Sequence, residues 1–226
     1  MRITYVTHTR FPTEKAHGHQ IAQVCAALGK LGHEVTLIHP NVWTQIDETN
    51  PWGYYGVPHS FTVKKLDSVD ALQKWWIPGY FAFPIAMWSY RRKLRYFIRS
   101  HQTNLFYCRS WEVVGELLRT GTPVHMELHA LPRLRRKVFV KQCNRCMKVI
   151  CLTSPMRAEI VGWGVDPERV IVESDGVDLS RFLSIPKKED AKSMFNLLKE
   201  YFENKQKTNK DIDIDFDIED SLLKIK

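Results

Sequence analysis

Met1–Pro40, "MRITYVTHTRFPTEKAHGHQIAQVCAALGKLGHEVTLIHP", is the stretch that decides the fold class. Arg2–Thr7 is a short run with β-branched residues that ends in polar His8-Thr9-Arg10, so it reads as a strand. After a loop containing Phe11-Pro12 and Ala16-His17-Gly18, apolar side chains fall at Ile21, Val24, Cys25, Leu28 and Leu31, the spacing of one helix face. Gly32 ends that helix as a left-handed cap would. Glu34–His39, "EVTLIH", is the next strand. Strand, loop, helix, turn and strand in so short a span make a βαβ unit, whose crossover should be right-handed.

The same alternation continues along the chain. Leu105–Cys108, Pro123–Leu128, Lys148–Leu152 and Arg169–Glu173 read as strands. Glu112–Arg119, Leu134–Asn144 and Ser154–Val161 read as helices, with Ser154 as N-cap and Pro155 at the first helical position. Repeated strand–helix alternation predicts an α/β fold built on a doubly wound parallel, Rossmann-like sheet. Trp75–Ser100, "WWIPGYFAFPIAMWSYRRKLRYFIRS", breaks the rhythm. Its first half is aromatic and interrupted by Pro78 and Pro84; its second is helical and basic. Aromatic residues beside Arg91, Arg92, Lys93 and Arg95 suit a helix lying at a membrane surface. The plainer alternative is a helix with its aromatic face on the sheet and its basic face in water.

Composition narrows the partners. Of 33 Lys/Arg and 25 Asp/Glu, nine and ten fall in Ser184–Lys226, which leaves Met1–Leu183 with 24 basic and 15 acidic residues. A positive surface favours anionic partners, whether phosphorylated substrates, acidic lipid head groups or nucleic acid, and charge alone does not choose among them. No apolar run approaches the ~20 residues of a membrane-spanning helix. Five Cys and an N-terminus without a secretory layout lead to the expectation of a reducing, cytoplasmic setting, at most peripheral on the inner face of a membrane. Cys143-x-x-Cys146 with Cys151 offers too few ligands for a structural zinc site and reads as buried thiols. Nucleophile-elbow, HExxH and Walker patterns do not occur.

In an open parallel sheet, ligands bind at the carboxyl ends of the strands. There stand His17 and Gly18, Arg109 and Ser110, Glu127 and His129, and, one turn into a helix, Arg157. The segments that carry them are "MRITYVTHTRFPTEKAHGHQ…TLIHP", "YCRSW", "VHMELHAL", "VICLTSPMRAEI" and "ERVIVESDGVDLSRF". In this order they resemble the N-terminal, acceptor-side half of the two-domain GT-B fold in glycosyltransferase family 4. The resemblance runs from Met1 to about Leu183. It implies sugar transfer from a nucleotide-sugar donor to a glycan or lipid-linked acceptor, with retention. It also implies a site near the transferred sugar at His129, the leading catalytic candidate. Glu127 would orient His129 or cap the strand end; Arg109, Ser110 and Arg157 would face acceptor or anionic groups. A loop amide at His17-Gly18 would meet a phosphate at the helix start. The donor is a substrate; no cofactor, metal or nucleic acid is expected.

Asp175-Gly176-Val177-Asp178 with Phe182 is similar to the family's hinge into the donor-binding domain. Yet 44 residues follow Phe182, and no glycine follows Gly176. Two domains are therefore expected: 1–183, and a helix with an acidic tail over 184–226 in place of the donor domain. This predicts a truncated product, a fragment or half of a split enzyme whose donor half is encoded separately, inactive alone. "DIDIDFDIED", 211–220, fails as a calcium loop because position six would be Phe216 and position twelve Leu222. The alternative function is a non-catalytic module that binds the acceptor or an anionic membrane. A dinucleotide-binding dehydrogenase half is disfavoured: the first loop lacks G-x-G-x-x-G, and His39-Pro40 ends the second strand where an acidic residue is needed.

Overall fold

The computed structural model describes residues 1–176, with Leu72 by its backbone alone, and beyond them Lys192, Ser193 and Asn196. The hinge-like segment from Val177 and the helix and acidic tail expected over 184–226 fall, apart from those three residues, outside the described part. Met1–Asp175 is one compact unit.

Seven strands form one all-parallel sheet in the order β3-β2-β1-β4-β5-β6-β7. They are β1 Arg2–Val6, β2 Glu34–Pro40, β3 Thr62–Leu66, β4 Leu105–Cys108, β5 Val124–Leu128, β6 Lys148–Cys151 and β7 Val170–Val172. The helices are α1 Ala16–Lys30, α2 Pro51–Tyr55, α3 Gly79–Ser100, α4 Trp111–Leu117, α5 Arg136–Cys143 and α6 Ser154–Gly162. The expected doubly wound sheet is present. β3 and α2 were not foreseen: β3 buries little beyond Leu66, so its edge position leaves no apolar alternation to read.

The period of two along each strand divides the core. Ile3, Tyr5, Val35 and Leu37 pack with Ile21, Ala22 and Cys25 of α1 on one face. Val6, Ile38, Phe106 and Cys108 pack with Leu94 of α3, Val113 of α4 and Phe139 of α5 on the other. Each such buried aliphatic or aromatic side chain contributes roughly 1.5–3 kcal/mol. All five cysteines are free and buried. Burial pushes their thiols up, Cys146 to about 12 and Cys151 to about 11, so they behave as small apolar groups.

Gly32 does adopt the left-handed conformation, with φ of 81°, that its place after α1 requires. The cap of α6 differs from expectation. Thr153 is the N-cap, and its hydroxyl accepts from the Met156 amide at 3.3 Å.

α3 is fixed from below by charge. The Glu116 carboxylate, fully buried, accepts from Arg91 at 2.8 Å, Arg95 at 2.9 Å and Arg119 at 2.8 Å. Arg91 and Arg95, expected on a lipid-facing surface, pair with Glu116 while keeping 40% and 45% of their side-chain surface exposed. Arg92 instead lies over the Trp88 ring at 5.8 Å, and Lys93 is exposed.

Candidate functional site

The chain leaves β1 toward β2 and β3, then returns to β4 on β1's other side. The order therefore reverses between β1 and β4, and the crevice in which open α/β sheets bind their ligands is expected beyond the carboxyl ends of those strands. Residues two apart at a strand end share a face, so Tyr5, Tyr107 with Arg109, and Glu127 with His129 all turn toward α1. Tyr5 and Tyr107 are register partners and stack with centroids 5.1 Å apart.

Glu127 is the centre of this group. Its carboxylate accepts from the Tyr107 hydroxyl at 2.6 Å and from His129 Nε2. Burial opposes ionisation, but the hydrogen bonds from His129 and Tyr107 and the charges of His129 and Arg109 outweigh it. The Glu127 carboxyl is held below its ordinary value and is charged at neutral pH. An ionised Glu127 makes His129 Nε2 the proton-bearing nitrogen. His129 Nδ1 is then the atom left to accept a hydrogen bond from a ligand hydroxyl when the ring is neutral, or to donate one when it is charged.

A second chain of contacts crosses the crevice. Arg109 Nη1 donates to Gln20 Oε1, and Gln20 Nε2 donates to Asp175 Oδ1. Gln20 lies one turn along α1 from His17, on the same helix face. The His17 Nε2 is buried without a hydrogen-bond partner among the described residues. Burial and then the positive charges of Arg109 and Lys15 depress its pKa, so His17 is neutral at the crevice.

The third group is on the α3 side. The buried Ser110 hydroxyl accepts from the His8 amide at 2.9 Å and meets His8 Nδ1 at 2.7 Å, with Glu112 3.6 Å from that nitrogen. Burial lowers the His8 pKa, against the pull of Glu112. Ser110 thus holds the loop after β1 to the start of α4.

Gly18 has a packing task. Its amide donates to Lys15 O at 2.9 Å, within the first turn of α1. A Cβ there would stand 2.4 Å from Tyr55 Oη and 2.5 Å from Thr13 Cγ2. Tyr55 Oη accepts from the Thr13 amide at 2.7 Å and donates to the Thr13 carbonyl at 2.8 Å, clamping the loop to α2. The glycine lets that clamp close.

Arg157 is not brought to this group. Its guanidinium reaches the Pro167 carbonyl at 3.4 Å, on the approach to the edge strand β7. Tyr5, Tyr107, Gln20, Asp175 and His8 join the site without having been foreseen. Tyr107 could have been found from the two-residue period back from Arg109, and Gln20 from the helical spacing to His17. Asp175 is 155 positions from Gln20, and nothing local announces that contact.

Glu127, His129 and Asp175 bring one donor atom each within 4.8 Å of one another. A cation there would have to displace the Tyr107 and His129 donors from Glu127 beside the Arg109 charge, so the residues suit hydrogen bonding to a ligand better than metal ligation.

Solved structures share this fold. HepE from Anabaena, in a complex with UDP and glucose, is 15% identical with a TM-score of 0.57; the match covers 88% of this chain and 50% of that one. Sucrose-phosphate synthase from Thermosynechococcus elongatus is 13% identical with a TM-score of 0.62, over 86% of this chain and 52% of that one. UDP-GlcNAc 2-epimerase from Methanocaldococcus jannaschii is 11% identical with a TM-score of 0.54, over 76% and 45%. The chain thus spans about half the length of these GT-B proteins. No curated protein is significantly similar to it in sequence. Residues 18–181, most of the chain, match the pattern of Glycosyltransferase Family 4. This chain belongs to glycosyltransferase family 4 and has the fold of one half of a GT-B enzyme.

Proposed function

We propose that the chain is the acceptor-side half of a retaining glycosyltransferase that uses a nucleotide-sugar donor. The observation that carries this reading is the Tyr107–Glu127–His129 group at the carboxyl ends of β4 and β5, beside Arg109, in a chain of this family. Glu127 orients His129, whose free Nδ1 meets a hydroxyl of the transferred sugar. Arg109, Gln20 and the neutral His17 line the crevice and bind acceptor or phosphate oxygens. Catalysis of this kind consists of positioning and charge stabilisation, and it calls for no cofactor. HepE's UDP and glucose support a nucleotide-sugar partner.

Sugar transfer tests it. The purified chain with UDP-glucose and membrane-extract acceptors releases no UDP above a buffer control. Combined with a donor-binding half of the GT-B fold, it releases UDP, and His129→Ala in that pair lowers the rate by about 10²-fold or more. Ordinary turnover by the chain alone, or a pair indifferent to His129→Ala, overturns the reading.

A second reading rests on a different observation. Trp75, Trp76, Tyr80 and Trp88 are mostly exposed. They favour a chain that works against a membrane surface, where a lipid-linked acceptor would reside. Among the described residues no helix is long and apolar enough to cross a membrane.

A further inference from the structure

We infer that the N-terminal half of α3, with the turn before it, is an aromatic platform that inserts into the headgroup layer of a bilayer. Burial of rings drives the docking, and the arginine run contributes little. The inference rests on the membrane reading and is independent of sugar transfer.

The platform has too much exposed ring surface for a helix that faces only water. Trp75 is 94% exposed, Tyr80 84%, Trp76 66% and Trp88 64%, with Phe81 and Phe83 about half exposed. The helix does have an inward face, made of Ala82, Tyr90, Leu94 and Ile98. The aromatic residues lie off that face; among the described residues Tyr80 and Phe81 meet each other and Phe83 meets His8, and most of their ring surface stays exposed. Monomeric proteins seldom leave so many large apolar side chains together in water.

Charge selects a lipid surface as the occupant. Between Asp70 and Glu112 the sequence has no Asp or Glu, while it has Lys74, Arg91, Arg92, Lys93, Arg95, Arg99 and Arg109. Trp and Tyr mixed with cations and free of acids match the layer where headgroups meet acyl chains. The structure then gives three of these seven cations a carboxylate or ring partner within the chain. Arg91 and Arg95 are spent on Glu116, and Arg92 is seated on Trp88. What remains outward is ring surface with a few flanking charges.

Position gives the contact a use. α3 follows β3 and precedes β4 in a parallel sheet, so its N-terminus stands at the same sheet edge as His8, Arg109 and His129. Phe83 meets the His8 ring edge-on, with centroids 6.2 Å apart. The platform therefore abuts the crevice, and docking would hold the crevice mouth at the bilayer surface. Pro84 lies within the exposed turns; it cannot donate to the Tyr80 carbonyl, which is left for water or a headgroup.

Co-sedimentation of the full chain tests this, with vesicles of phosphatidylcholine alone and of phosphatidylcholine with phosphatidylglycerol, at low and high salt. Two variants accompany it: Trp75→Ala/Trp76→Ala/Phe81→Ala, and Arg92→Gln/Arg99→Gln, which spares the Glu116 contacts. Circular dichroism melts check that both fold. The wild type is expected to bind both vesicles and to stay bound in high salt, with its tryptophan emission shifted to the blue. The aromatic variant should lose about tenfold or more in partitioning, and the arginine variant should lose less. Binding to acidic vesicles alone, abolished by salt or by the arginine variant and untouched by the aromatic one, overturns the inference and leaves the membrane reading standing. Absence of binding to either vesicle overturns both. An aromatic variant that turns a dimer into a monomer without changing vesicle binding assigns the face to a second copy of this chain and also overturns the inference.

Discussion

Glu116→Gln should loosen the attachment of α3 to the sheet by about 2–3 kcal/mol at neutral pH. Five N–H groups from Arg91, Arg95 and Arg119 point at the two oxygens of this buried carboxylate, at 2.8–3.1 Å. Glutamine keeps the shape but offers one oxygen, and its amide hydrogens face guanidinium donors. Each charged hydrogen bond contributes about 1.5–3 kcal/mol, and two or more are lost. The full loss is not felt, because the three guanidiniums are 40%, 45% and 61% exposed and can turn back to water. Burial opposes the charge on Glu116, but hydrogen bonds from Arg95 and Arg91 and the charges of Arg91 and Arg119 win, holding its pKa below the ordinary value. A carboxylate with a depressed folded-state pKa stabilises the fold above its unfolded value, and that contribution disappears as pH falls through the folded value. Urea unfolding and thermal melts, both followed by circular dichroism, measure the two parts. The variant should melt roughly 5–10 °C lower at pH 7. The gap should close in acid, below the ordinary carboxylate range, as wild-type Glu116 takes up its proton. A difference under about 0.5 kcal/mol at neutral pH, or a gap unchanged in acid, would refute the reasoning.

Three other outcomes are expected. Tyr107→Phe deletes the 2.6 Å donor to Glu127, so the Glu127 carboxyl pKa should rise, read by carbon-13 NMR of the side chain, with His129 left as its remaining close donor. Gly18→Ala drives a methyl into Tyr55 and Thr13 and should cost about 1–3 kcal/mol in urea unfolding. Burial lowers the His39 pKa to about 4, so its neutral form is the one the fold accepts; stability should fall by about 1.4 kcal/mol per pH unit between the unfolded value near 6.5 and 4. His39→Gln should flatten that slope, and an equally steep slope in the variant would contradict the assignment.

The parallel α/β sheet and most of the crevice were legible in the sequence because their signals are local. A period of two in "EVTLIH" and of 3.6 across Ile21–Leu31 is fixed by neighbours a few positions apart. Once the strands are placed, the rule that ligands sit beyond their carboxyl ends singles out Arg109, Ser110, Glu127 and His129. Tertiary structure alone decided what those residues and their neighbours are paired with. The basic run after Trp88 looked like one charged surface, yet Glu116, more than twenty positions on, takes Arg91 and Arg95 and leaves the aromatic rings outward. At Gly18, Tyr55 from a helix that no periodicity announces leaves no room for a side chain. Arg157 sat at the right distance from a strand end and yet turns to the Pro167 carbonyl. The physical reason is common to all three. Chain periodicity records which face a residue occupies, whereas partners are set by how elements far apart in sequence come to rest against one another.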